Sequence, residues 1–194
     1  MRLSVVIPNY NHGEFIEEQV DAIINQEYKC FELIIIDDNS TDNSLDIIKK
    51  IIKKYPNENI RLYENYKNIG PLDTLNKGLE LSKGEYIYFP SADDRICKNL
   101  FQEAFLMFKK YPQSGIFSAL GYQMDKKGKF QNLVSSPLIS NERIYLNSFA
   151  VKKYLKKYSF WIVGQTMIFK KNCFTDFDIK FNEQLKHYSD IFVP

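Results

Sequence analysis

The apolar residues of this chain switch between short continuous runs and helical spacing. Leu3, Val5, Val6 and Ile7 form a run ending at Pro8, which predicts a strand over residues 2–8 buried on both faces. Asn9 to Gly13 is loop chemistry; Phe15, Ile16, Val20, Ile23 and Ile24 then recur at helical spacing over about 14–26. Phe31 to Ile36 predicts a second buried strand, closed by Asp37-Asp38-Asn39-Ser40. Ser40 or Thr41 is suited to cap the next helix, whose apolar positions are Leu45, Ile47, Ile48, Ile51 and Ile52. A strand is expected at 60–63, a helix at 71–82, a strand at 85–89, and a helix at 100–111 stopped by Pro112. Such alternation is the pattern of an α/β fold with a mostly parallel central sheet flanked by helices.

Beyond residue 112 the pattern changes. Strands are expected at 116–124 and 130–134 around a turn at 126–129, followed by a helix at 148–158. Residues 160–170 read as a strand broken by Gly164, and 174–194 as irregular. No repeat or linker separates the parts, so 1–112 and 113–194 are expected to share one core.

Composition narrows the function classes. The chain has 194 residues, 44% hydrophobic and 26% charged, a globular balance. A net charge of +2 is too small for a dedicated nucleic-acid binder. No apolar run approaches the roughly 20 residues that span a bilayer, and the N-terminus lacks the layout of a signal peptide. The expectation is a cytoplasmic protein. Cys30, Cys97 and Cys173 are far apart and read as reduced thiols. With only His12 and His187, a multi-histidine metal site is excluded. Any metal falls to carboxylates, which favours Mg²⁺ or Mn²⁺.

Ligands of parallel α/β sheets bind at the carboxyl ends of strands. Three such ends are rich in chemistry here: Pro8-Asn9-Tyr10-Asn11, Asp37-Asp38-Asn39 and Ser91-Ala92-Asp93-Asp94. If they converge, one rim carries an aromatic ring and two pairs of acids. Adjacent acids repel, so each pair calls for a cation or hydrogen-bond donors. Asp93-Asp94 suits a divalent metal that leaves positions open for phosphate oxygens, and Asp38 suits a base N–H. Either pair alone fits turn and cap chemistry equally well.

Together these segments carry a resemblance. Ser4-Val-Val-Ile-Pro-Asn-Tyr-Asn11 and Ile34-Ile-Ile-Asp-Asp-Asn-Ser-Thr-Asp42 resemble the start of family 2 glycosyltransferases with the GT-A (Rossmann-like) fold. Asn68-Ile-Gly70, Asn76-Lys-Gly78 and Gly84-Glu-Tyr-Ile-Tyr-Phe-Pro-Ser-Ala-Asp-Asp94 continue it in order and spacing. The likeness is strong over 2–112 and weak over 160–192. It implies an inverting transferase that moves a sugar from a nucleotide sugar, a UDP-sugar foremost, to a hydroxyl of a glycan or lipid-linked acceptor. Pro8 and Tyr10 would line the nucleobase pocket, Tyr10 by stacking. Asp38 would accept the base N–H, which suits uracil and also permits thymine or guanine, Asp93 would contact ribose, and Asp94 would hold Mn²⁺ or Mg²⁺. Three positions depart from the family pattern: Ser91 and Ser189 stand where an acid is common, and Leu75 where an Arg is.

The resemblance also puts the general base late in the chain. Val163-Gly164-Gln165 and Phe181-Asn182-Glu183-Gln184-Leu185 match the elements before it, and His187-Tyr188-Ser189-Asp190 the late acidic motif, which makes Asp190 the candidate. His12 reads as a surface-loop residue. Trp161 fits a sugar platform and a core position equally. The lysine pairs at 152/153, 156/157 and 170/171 fit a solvated face, or anionic lipid and peripheral attachment at the inner membrane face.

On this reading 1–112 is the nucleotide-sugar-binding half of one continuous GT-A domain. Residues 113–194 form a smaller acceptor-side region, expected to be truncated because Pro194 lies four residues past Asp190. Two other classes fit parts of the pattern. A non-catalytic or truncated module would bind the donor and transfer nothing. A sugar-phosphate nucleotidyltransferase would want a Gly-rich loop after the first strand, where only Gly13 stands. The sugar, acceptor, linkage and oligomeric state are not legible.

Overall fold

The structure, a computed structural model, describes residues 1–125, 129–133, 140, 142–158 and 164–181. Its order is β1 (Leu3–Asn9), α1 (Ile16–Ile24), β2 (Glu32–Asp37), α2 (Ser44–Lys54), β3 (Ile60–Glu64), α3 (Pro71–Leu81), β4 (Tyr86–Tyr88) and α4 (Leu100–Lys110). There follow β5 (Ile116–Phe117), β6 (Tyr122–Met124), β7 (Phe130–Leu133), α5 (Ser148–Tyr158), a 3-10 turn (Gly164–Thr166), β8 (Ile168–Lys170) and α6 (Asn172–Thr175).

The main sheet runs β3-β2-β1-β4-β8-β5. The first four strands are parallel, and β8 is antiparallel to both β4 and β5. The expected mostly parallel α/β sheet is therefore present, and β5 and β8 from the second part extend it. Side chains alternate between two apolar layers, as strand geometry requires. Leu3, Val5, Ile7, Leu33, Ile35, Tyr86, Tyr88 and Ile168 enter one core with residues of α1, α2 and α4. Val6, Ile34, Ile36, Ile87 and Phe169 enter the other with Leu79 of α3 and Phe174 of α6. The β1-α1-β2-α2-β3 crossovers run one way along the sheet and β3-α3-β4 runs back, so right-handed connections place α3 on the opposite face.

The structure corrects several local expectations. The 116–124 segment is two strands, β5 in the main sheet and β6 in a separate hairpin with β7. Of the strand expected over 160–170, only Ile168–Lys170 forms among the described residues, preceded by the 3-10 turn. Neither Ser40 nor Thr41 caps α2. Its N-cap is Asn43, without a side-chain cap bond, and Asp42 Oδ1 accepts from the Ser44 N–H instead (2.9 Å).

Candidate active site

β2, β1 and β4 are parallel neighbours, so their carboxyl ends share one rim. After β1 the chain steps to β2 and β3 on one side, and β4 returns to the other. The β1/β4 boundary is thus the topological switch point, where α/β sheets bind ligands.

Asp37 and Asp38 do different work. Asp37 is buried and serves the scaffold: Oδ1 accepts from Asn9 Nδ2 (2.8 Å) and the Ser40 hydroxyl (2.7 Å), and Oδ2 from the Ser40 N–H (2.9 Å). Ser40 also accepts from the Asn11 N–H, and Asn11 Oδ1 accepts from the Thr41 and Asp42 N–H groups. The residues expected to cap α2 instead lash the β1 and β2 loops together. Asn11 and Asn39 make this possible by adopting left-handed backbone (φ 56° and 61°), which asparagine tolerates.

Asp38 is 3% exposed and is ringed by donors. Oδ1 accepts from Asn65 Nδ2 (2.8 Å) and the Ile69 N–H (2.9 Å), and Oδ2 from the Gly70 N–H (2.8 Å). These donors satisfy a carboxylate and leave acceptor capacity on Oδ2. Gly70 has φ +86°, a conformation open to glycine, and it launches α3 with Pro71 at the first position. Lys77 of α3 donates to Asn65 Oδ1, turning the Asn65 amide toward Asp38. Sequence reading missed both Asn65 and Lys77, although Lys77 lies inside the Asn76-Lys-Gly78 motif.

Tyr10 stands at the end of β1 with 43% of its surface exposed, an aromatic face held on the rim. Pro8 is half-buried one residue inside the strand end, opposite Ile36. Asn9 is buried, and its Oδ1 has no hydrogen-bond partner among the described residues. His12 lies half-buried in the loop after β1, and its carbonyl accepts the Phe15 and Ile16 N–H groups at the start of α1.

The acid loop after β4 is clamped by α1. Gln19, fully buried, donates to the Ser91 carbonyl (3.1 Å) and accepts from the Ile96 N–H (3.2 Å). Gln26, two turns on, donates to the Cys97 carbonyl (3.0 Å), and Arg95 pairs with Glu18. Sequence reading missed these residues. Within the loop Ser91 donates its hydroxyl to the exposed Asp93 carboxylate, while Asp94 is half-buried. Burial, and next the Asp94 charge, push the Tyr88 hydroxyl well above its usual pKa. That hydroxyl donates to the Gln165 carbonyl (2.6 Å), tying the Gly164–Thr166 turn to β4.

No cluster of three or more His, Cys, Asp or Glu side chains that could hold a metal occurs among the described residues. Asp93 and Asp94 are carboxylates of the kind that could hold a divalent ion, but among the described residues they would need further ligands to complete its shell. Trp161, His187 and the candidate base Asp190 lie outside the described residues. No helix of the described residues is long and apolar enough to cross a membrane.

Comparison with known proteins agrees with this geometry. The chain is 30% identical over 168 residues to a poly(ribitol-phosphate) beta-N-acetylglucosaminyltransferase, TarP, of Staphylococcus aureus, covering 80% of this chain and 49% of that protein. It is 42% identical over 99 residues to a poly(ribitol-phosphate) beta-glucosyltransferase of Bacillus spizizenii, covering 50% of this chain and 15% of that protein. The crystal structure of S. aureus TarS 1–349 in complex with UDP-GlcNAc is similar with a TM-score of 0.71 and 27% identity, covering 98% of this chain and 51% of that one. A mannosyltransferase of Pyrobaculum calidifontis in complex with GDP-Man and Mn²⁺ is similar with a TM-score of 0.57 and 26% identity, covering 61% of this chain and 35% of that one. The chain thus spans about half or less of the length of these relatives. Residues 4–174 match the family model described as glycosyl transferase family 2. With that match and the switch-point rim behind it, the chain belongs to family 2 of the glycosyl transferases.

Proposed function

We propose that this chain transfers a sugar, with inversion, from a UDP-sugar to a hydroxyl of a glycan or lipid-linked acceptor. The observation that carries the reading is the rim itself: an exposed aromatic, a donor-ringed acceptor and an acid pair at the three strand ends beside the switch point. The UDP-GlcNAc complex of TarS supports the donor class. The names of the relatives support an acceptor on a cell-surface polymer or lipid carrier, one being a GalNAc(5)-diNAcBac-PP-undecaprenol glucosyltransferase of Campylobacter jejuni.

In this reading the uracil stacks on Tyr10 beside Pro8 and gives its N–H to the remaining acceptor site of Asp38 Oδ2. An obligate acceptor there suits uracil and rejects a base edge that offers only acceptors. Asp93 takes a ribose hydroxyl, with Ser91 holding its carboxylate in place. Asp94 would hold Mn²⁺ or Mg²⁺, which when bound supplies charge to the departing diphosphate. Asp190 takes the acceptor's proton while the acceptor oxygen bonds to the anomeric carbon. The carbon–oxygen bond to the diphosphate breaks on the opposite side, and this single in-line displacement inverts the centre. A lipid-linked acceptor would bring the protein to the inner membrane face as a peripheral visitor.

The test is UDP release from UDP-glucose and UDP-GlcNAc with Mn²⁺, for the parent chain and Asp190→Asn. Turnover falling about 10²–10⁴-fold with UDP affinity retained is expected. Unchanged turnover in the variant would remove Asp190 from the mechanism, and no nucleotide binding by the parent would remove the donor reading.

A further inference from the structure

What Asp38 offers to the rim depends on the side chain beside it. Asn65 directly follows β3, and its N–H donates to the Asp37 carbonyl (2.8 Å), which ties it to the end of β2. Its side chain is buried, with Nδ2 donating to Asp38 Oδ1 (2.8 Å). A carboxamide has a donor end and an acceptor end, and turning it over exchanges them. Turned over, Asn65 would set an oxygen against the Asp38 carboxylate, two acceptors with no proton between them. The buried Thr74 hydroxyl, 3.4 Å from Nδ2, can donate or accept, so it suits either position.

Lys77 removes that choice. Half-buried on α3, it donates its ammonium to Asn65 Oδ1. An ammonium has donors and no acceptor, so it holds the oxygen of Asn65 and leaves the nitrogen facing Asp38. A cation thus reaches a buried acid through one intervening amide, and both bonds of this relay are charge-assisted, the stronger kind. The start of the same helix supplies a further donor: the Gly70 N–H is shared between Asp38 Oδ2 (2.8 Å) and Asn68 Oδ1 (3.0 Å). Asp38 Oδ1 is engaged by Asn65 and by the Ile69 N–H, so the capacity that remains lies on Oδ2.

We propose that Lys77 is a positioning residue for base selection. By fixing the sense of the Asn65 amide it keeps Asp38 an acceptor toward the rim, and so sets the preference for a base edge that brings an N–H over one that brings a lone pair. This rests on the reading of Asp38 as the base acceptor. Uracil and cytosine differ at that edge, where one carries a ring N–H and the other a bare ring nitrogen. A site built to receive the N–H rejects the other edge because its own acceptor is then left facing a lone pair. The lysine acts on this choice without touching the base.

The experiment titrates UDP and CDP, at one fixed Mn²⁺ concentration, into the parent chain and into Lys77→Met, Lys77→Arg, Asn65→Ala and the double variant Asn65→Ala/Lys77→Met. The parent should prefer UDP over CDP by about 10- to 150-fold, the worth of a hydrogen bond to a charged group. Lys77→Met should cut that preference by about tenfold, whereas Lys77→Arg, which keeps a cation with only donors, should retain it. Asn65→Ala breaks the same relay from the other side, in case the methionine variant does not fold, and should also cut the preference. On that background Lys77→Met should change the preference no further, since the lysine acts through the amide. An unchanged preference in Lys77→Met would overturn the proposal. So would an equal loss of UDP and CDP affinity, the mark of a diphosphate ligand or of a merely structural residue, and so would a further loss of preference on the Asn65→Ala background. A parent chain that binds neither nucleotide overturns the donor reading, and one that binds both alike overturns the reading of Asp38. Either failure shows in the parent, which separates it from a failure of Lys77.

Discussion

Asp37 and Asp38 are adjacent, alike and both buried, yet the first holds the loops together and the second faces the rim with acceptor capacity left. Tyr10 is the opposite kind of residue: its ring is exposed, so little of the fold depends on it. Tyr10→Ala should weaken UDP binding about 5- to 150-fold, the worth of one base–aromatic stack, and leave the melting temperature nearly unchanged. Isothermal titration beside a thermal melt checks this, and an equal loss in both would make Tyr10 structural. Tyr10, Asp38 and the Asp93-Asp94 pair could be singled out as candidates because an aromatic ring and two acid pairs recur at equivalent strand ends, although each alone reads as turn chemistry. Gln19 could not, because its partners are backbone atoms, one of them 72 residues away. A side chain bonded to a backbone carbonyl leaves no complementary residue type to read.

At the scale of elements, continuous β-branched runs made β1 and β2 legible, and helical spacing made α1 to α4 legible within a few residues of their ends. The second part was harder. β5, β6 and β8 are two or three residues long, too short for a period to declare itself, and the main sheet takes β5 while β6 pairs with β7. Gly78 sets two principles against each other. Helix propensity favours Ala by about 1 kcal/mol, whereas the Cβ would lie 2.2 Å from Val6 Cγ1 in a fully buried central strand. Val6 is β-branched and packed, so it cannot turn away cheaply, and overpacking costs about 1–3 kcal/mol. Gly78→Ala should therefore lower the unfolding free energy by up to about 2 kcal/mol in urea titration. A gain in stability would mean that α3 sits further from β1 than described.

For the molecule as a whole, strand order decides the location of chemistry. The turn of the chain from β3 back to β4 brings loops from residues 8–11, 37–42 and 91–97 to one rim, and α1 and α3 brace that rim from opposite faces. The α1 clamp holds the acid loop and α3, through the Gly70 N–H at its start, holds Asp38, so the proposed donor site is braced by the sheet's own helices rather than left on free loops. The measurement that tests this most directly is a crystal structure of the chain with UDP and Mn²⁺. The account predicts uracil stacked on Tyr10 with its N–H on Asp38, and the metal between the diphosphate and Asp94. A nucleotide bound away from the β1/β4 boundary, or with its base off Tyr10 and Asp38, would contradict it.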